Sequence, residues 1–228
     1  MPPLRLLLTG FGPFPGTPDN PSAWLVERLA SAAPQAGLGA TLHAEVLPSE
    51  WDAVASRAPR LFDAIRPGLI LNFGLSRRAR GFRIERFAHN RVMARPDAVG
   101  ALPTTGSVRA RGPDRLQSGF PAARLANHLK QQGLQAAASR SAGRYLCNFL
   151  YYLSLEWARR QETPCLAAFV HMPPTKADGG TFTEAELLRG AEAILRFGLA
   201  LASEDNARRP VAARRGTALA GASRPVSS

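Results

Sequence analysis

A chain of 228 residues with 45% hydrophobic content can bury one substantial core, and its length favours one domain over two. Two cysteines without CxxC or metal-type spacing argue against a disulfide framework or a structural zinc site and fit a reducing compartment. The N-terminal apolar run is too short for a signal sequence and no stretch approaches the ~18 residues of a membrane span, so a cytoplasmic location is expected.

Taken in chain order, Leu4 to Leu8 is a short apolar run bounded by Thr9-Gly10, the pattern of a fully buried strand. A Gly/Pro-rich loop follows, and Ser22 is placed to cap a helix whose inner face carries Trp24, Leu25, Leu29 and Ala33. Ala40 to Leu47 alternates as a strand, Glu50 to Ile65 reads as a helix stopped by Pro67-Gly68, and Leu69 to Gly74 is a second buried strand. Residues 75–118 are irregular apart from a strand expected over Phe82 to Val92, and so long an insertion in a compact domain is where a site is expected to be completed. A helix near Pro121 to Gln132, a strand near Leu134 to Ser139, a helix carrying Cys147, a strand at Cys165 to His171 and a helix at Thr183 to Leu201 complete the pattern. The alternation predicts an α/β fold, a three-layer α/β/α sandwich around a twisted, mostly parallel sheet in a single domain over 1–204, with functional residues at the carboxyl ends of the strands. Residues 205–228 lack apolar periodicity and form an arginine-rich tail expected to be disordered.

The formal charge of +12 is concentrated. Residues 77–115 hold ten arginines against Glu85, Asp97 and Asp114, and the tail holds five against Asp205. Aromatic residues are not interleaved with these clusters as a single-strand stacking platform requires, which argues against nucleic-acid binding.

The segment Ser141-Ala-Gly-Arg-Tyr-Leu-Cys147 puts a thiol one turn into an amphipathic helix, directly after a small-residue turn. Outward-pointing N–H groups at a helix start favour thiolate and can receive an oxyanion, although most cysteines are buried filler. Of four histidines, His43 lies in an early strand, His128 on a polar helix face and His89 after Glu85. His171 alone closes an apolar strand next to the cysteine unit, where it could serve as base. Glu85 is the only acid between Asp63 and Asp97; it could orient that base or be a structural ion-pair partner.

These residues resemble the pyroglutamyl-peptidase I family of cysteine exopeptidases. Thr9-Gly-Phe11-Gly-Pro-Phe14 with Asn20-Pro-Ser22, Glu85-Arg86-Phe-Ala-His-Asn90, Ser141-Ala-Gly-Arg-Tyr-Leu-Cys147-Asn148 and Phe169-Val-His171-Met-Pro are similar to its motifs and stand in its order. The resemblance implies Cys147 as nucleophile, His171 as base and Glu85 as orienting acid. It also implies a lactam pocket formed by Phe11, Phe14, Asn20, Leu75, Tyr145 and Leu146, and Arg95 beside the oxyanion. No metal or organic cofactor is implied, the expected partner is a peptide with a blocked N-terminus, and a homo-oligomer is allowed. The chain departs from the family pattern at Gly74-Leu75-Ser76-Arg77, where a glutamine is usual, in a shortened Ala94–Gly100 stretch, and at Met172-Pro173-Pro174. The expected activity is hydrolysis of an N-terminal pyroglutamyl group through a thioester. The alternative is a non-catalytic or repurposed relative that binds a peptide or acidic ligand through the arginine-rich residues 77–115.

Overall fold

The computed structural model describes residues 3–33 and 37–207. Strand β1 (Leu4–Phe11) is apolar on both faces and runs three residues beyond the expected Leu8 because Thr9, Gly10 and Phe11 continue the pairing. Helix α1 (Pro21–Ala32) is capped by Asn20 rather than Ser22. Pro21 at the first helical position brings no N–H of its own, so the cap falls one residue earlier and the Asn20 side chain accepts from Ser22 N at 3.1 Å. The inner face of α1 is Ser22, Leu25, Val26 and Leu29; Trp24 is half-buried and Ala33 lies past the helix end.

Strand β2 (Ala40–Leu47) has the expected bounds, and helix α2 (Trp51–Ile65) ends on Arg66 in the left-handed region at φ 49°. Pro67 disfavours a helical Arg66, and the Arg66 N–H closes on Phe62 O at 2.8 Å. Strand β3 (Leu69–Leu75) is buried for all but its last residue.

The strand expected over Phe82 to Val92 is broken in two. β4 (Phe82–Glu85) joins the main sheet, whereas β5 (Phe87–His89) pairs with β6 (Arg115–Gln117) in a separate two-stranded sheet. Arg86 is the divide: its N–H bonds Ser139 O while its carbonyl accepts from Ser118 N, so the chain changes partners there. Apolar alternation carries no information about which strand lies alongside, so the break was invisible in the pattern.

Helix α3 (Ala122–Gln131), strand β7 (Ala136–Ser139), helix α4 (Leu146–Arg159), strand β8 (Leu166–Met172) and helix α5 (Glu184–Ala207) follow. α5 extends past the expected Leu201 into the first residues of the 205–228 segment, the rest of which lies outside the described residues. The main sheet has the order β2-β1-β3-β8-β4-β7, with every pair parallel except β4 with β8. One core packs α1, α3 and α5 on one face of it, and the other packs α2 and α4 on the opposite face, giving the three-layer α/β/α sandwich. Among the described residues no helix is long and apolar enough to cross a membrane.

Candidate active site

The sheet register brings the chemistry together. Gly74 on β3 lies opposite His171 on β8, and on the other side of β8 Arg83 lies opposite His171 and Ile84 opposite Val170. Ile84 and Val170 face the α1/α3/α5 core, so strand alternation sends Arg83, Glu85, Phe169 and His171 to the α4 face. α4 begins with Tyr145 as its extended N-cap, which makes Cys147 the second helical residue rather than one a full turn in. That correction moves the sulfur closer to the unpaired first-turn N–H groups. Gly143 makes the preceding turn at φ 82°, in the left-handed region that a side chain resists, and its N–H donates to Ser141 Oγ at 3.2 Å. At Gly74 a Cβ would meet Phe169 Cζ at 2.8 Å and Cys147 Sγ at 3.1 Å, so glycine is what lets the sulfur sit against β3.

His171 Nδ1 and Glu85 Oε1 are 2.9 Å apart, with the ring nitrogen donating. The Glu85 side chain is fully buried, its Oε2 has no hydrogen-bond partner among the described residues, and Arg83 Nε stands 3.9 Å from Oε1. The Glu85 backbone is fixed by Tyr151, whose hydroxyl donates to its carbonyl at 2.7 Å. The His171 ring rests on Phe169 at 4.9 Å between centroids. Burial by itself would lower the His171 pKa. Hydrogen bonding to the Cys147 and Glu85 side chains, and attraction to both, outweigh that and raise it from 6.5 to about 9.

Cys147, His171 and Glu85 line one cleft of about 840 Å³, together with Phe11, Phe14, Asn20, Leu75, Tyr145, Leu146 and Arg95. Every residue singled out from the sequence therefore reaches this cleft, but in different ways. Phe11 and Leu146 are also buried core residues, whereas Phe14 and Leu75 are half-buried at its rim. Asn20 is committed to the loop: its amide donates to Gly12 O at 2.9 Å, and its oxygen accepts from Ser22 N and Ser22 Oγ. It shapes the Phe11–Phe14 wall rather than offering free polar atoms to a ligand. Tyr145 donates to Pro96 O at 2.9 Å and packs edge-on against Trp51, and the Arg95 guanidinium lies 5.1 Å over the Tyr145 ring.

Two positioning residues escaped the sequence reading. Asp97, 1% exposed, accepts from Trp51 N, Val99 N and Ala101 N at 2.9, 3.0 and 2.9 Å. Glu50, the N-cap of α2, makes no side-chain cap bond, so Asp97 caps that helix from another loop while folding the Arg95 wall around itself. Asn148 is buried beside the nucleophile; it accepts from His89 N and donates to the carbonyls of His89 and Arg91. A Pro-Asp-x-x-Gly turn signature at residue 97 and an amide directly after Cys147 were the available signals. Among the described residues no group of three or more His, Cys, Asp or Glu side chains could hold a metal ion.

The family model described as pyroglutamyl peptidase matches residues 4–178. A pyrrolidone-carboxylate peptidase of Thermococcus litoralis is 30% identical over 173 residues, covering 75% of this chain and 77% of its own length. One from Gloeobacter violaceus is 34% identical over 210 residues, covering 89% and 99%. The crystal structure of pyroglutamyl peptidase I from Bacillus amyloliquefaciens superposes with a TM-score of 0.78 at 26% identity, covering 89% of this chain and 98% of that one.

Proposed function

As the chain belongs to the pyroglutamyl peptidase family, we propose that it is a cysteine exopeptidase that removes an N-terminal pyroglutamyl group from peptides. The observation that carries this reading is the convergence of Cys147, His171 and Glu85 in one cleft. In the proposed cycle the Cys147 thiolate attacks the pyroglutamyl carbonyl carbon, and the electron pair moves to oxygen. The oxyanion is received by first-turn N–H groups of α4, with Arg95 nearby. Collapse of the tetrahedral species breaks the C–N bond, and the His171 imidazolium gives its proton to the departing amine, leaving a thioester. His171 then takes a proton from water as the water attacks, and collapse returns the thiolate and releases pyroglutamate. Glu85 holds Nδ1–H, which leaves Nε2 for the reacting atoms and supports the charged ring.

The neutral lactam needs aromatic and apolar walls rather than a charged clamp, and Phe11, Phe14, Leu75, Tyr145 and Leu146 supply them. Both cysteines are free thiols, which fits the reducing cytoplasm in which we place the enzyme. The test is amine release from pyroglutamyl-aminocoumarin by the wild type and by Cys147→Ala. Turnover by the wild type and none by the variant is expected; equal rates, or none with the wild type, overturn the assignment.

A further inference from the structure

The charge of the cleft does not match the charge of the group it is proposed to hold. Five arginines line it (Arg77, Arg78, Arg83, Arg95 and Arg144) against the single carboxylate of Glu85, which is taken up by His171. Three of the five are held by the walls. Arg77 donates to Gly16 O and Thr17 Oγ1, Arg83 donates to Ser139 Oγ at 2.8 Å, and Arg95 lies over Tyr145. Arg78 and Arg144 are exposed and make no side-chain hydrogen bond or ion pair among the described residues. They stand in the β3–β4 loop and immediately before Tyr145, the N-cap of the nucleophile helix.

The cationic surface continues outward. A second cavity of about 650 Å³ shares Ser141, Gly143 and Arg144 with the cleft and adds Arg91, Arg115 and Arg140 against only Asp114. A third, of about 550 Å³, shares Arg78 and Arg83 with the cleft and Arg140 with the second cavity. A pyroglutamyl residue has no amine charge and no side-chain charge, so apart from Arg95 near the developing oxyanion none of these guanidiniums gains from it. The charge they can meet is carried by the residues that follow the scissile bond.

Resting on the peptidase reading, we propose that this enzyme selects pyroglutamyl peptides with an acidic residue directly after the pyroglutamyl group, and that Arg78 and Arg144 read it. The arginines tied to the walls set a background potential, and the two free ones are able to reorient onto a carboxylate without breaking an existing bond. A cationic residue at the same position is disfavoured by the same field.

The test uses three C-terminally amidated pyroglutamyl peptides that differ only in the next residue, Glu, Gln or Lys, so that the chain terminus adds no charge. The Glu peptide is expected to exceed the Gln peptide in kcat/KM by about tenfold at low salt, with the Lys peptide below Gln, and the spread should shrink at high salt. In an Arg78→Gln/Arg144→Gln double variant the Glu-to-Gln ratio should fall to about two or less. The ratio is taken within each enzyme, so any general loss of activity in the variant cancels. Equal kcat/KM for Glu and Gln in the wild type, or an unchanged ratio in the double variant, overturns the proposal. Failure to cleave any of the three overturns the peptidase reading instead.

Discussion

Glu85→Gln separates the electrostatic role of Glu85 from its shape. The amide keeps an oxygen to accept from His171 Nδ1 and removes the charge. The rise of the His171 pKa from 6.5 to about 9 corresponds, at ~1.4 kcal/mol per unit, to about 3 kcal/mol of preference for imidazolium in the folded state. Cys147 and Glu85 share that preference, so removing one charge is expected to cost about 1–2 kcal/mol. Its sign follows from the direction of the shift. A raised folded-state pKa contributes stability that is fully present below 6.5 and is lost as pH rises through about 9. The wild-type advantage over the variant should therefore be largest at the acid end of that window and shrink across it. Removing a buried carboxylate whose Oε2 is unpartnered also relieves a desolvation cost, which shifts the whole difference without changing its slope. Urea unfolding from the acid to the alkaline side of the window measures the slope, and kcat/KM on pyroglutamyl-aminocoumarin should fall by about 100-fold or more. Stability curves that run parallel through the window, or a kcat/KM within about threefold of wild type, would refute this reasoning.

Gly74→Ala puts a methyl group 2.8 Å from Phe169 Cζ and 3.1 Å from Cys147 Sγ. Phe169 is fully buried and cannot withdraw, so a loss of about 1–3 kcal/mol in thermal unfolding and a drop of roughly 100-fold in kcat are expected; wild-type turnover would show that the contact is slack. Asp97→Ala orphans three backbone donors, including that of Trp51 at the start of α2. It should cost about 2–3 kcal/mol, and KM should rise more than kcat falls as the Arg95–Tyr145 wall loosens; an unchanged KM in a stably folded variant counts against the positioning role. Burial pushes the Cys165 thiol up to about 12, so at neutral pH iodoacetamide should modify one cysteine, with loss of activity. Peptide mapping that finds the label on Cys165 would contradict this.

The places of Cys147 near a helix start and of His171 near a strand end could be read from local pattern, whereas the roles given to them and to Glu85 came from the resemblance to the family. A buried apolar run predicts where β8 ends, and a small-residue turn before an apolar period predicts where α4 starts. What could not be read depends on partners far away in sequence. β4 pairs with β8 in a register that sets Arg83 opposite His171, and this puts Glu85 on the same face as His171, 86 residues away. Asp97 caps a helix that starts 46 residues earlier. Asn20 resembles a ligand contact in the motif yet spends its amide on Gly12 and Ser22, because a Gly/Pro loop has few other ways to satisfy its backbone.

The basic segment shows why formal charge is a poor guide to partners until each guanidinium is accounted for. Arg86 and Arg115 both lie over the Phe87 ring, at 5.3 and 4.9 Å, and Arg109 is paired with Glu156 at 2.8 Å. Arg77 and Arg83 are bound to the cleft walls. These side chains brace a 76–118 insertion that has little regular structure of its own, a task that the planar, five-donor guanidinium performs where lysine would not. A sequence-independent polyanion surface needs a run of charges free to release counterions, and here much of the run is already committed. Of the guanidiniums left free, Arg80, Arg91 and Arg111 lie outside the cleft that holds Cys147, whereas Arg78 and Arg144 line it. A charge in that position acts on what enters and leaves the site, so its effect belongs in substrate selection rather than in general adhesion.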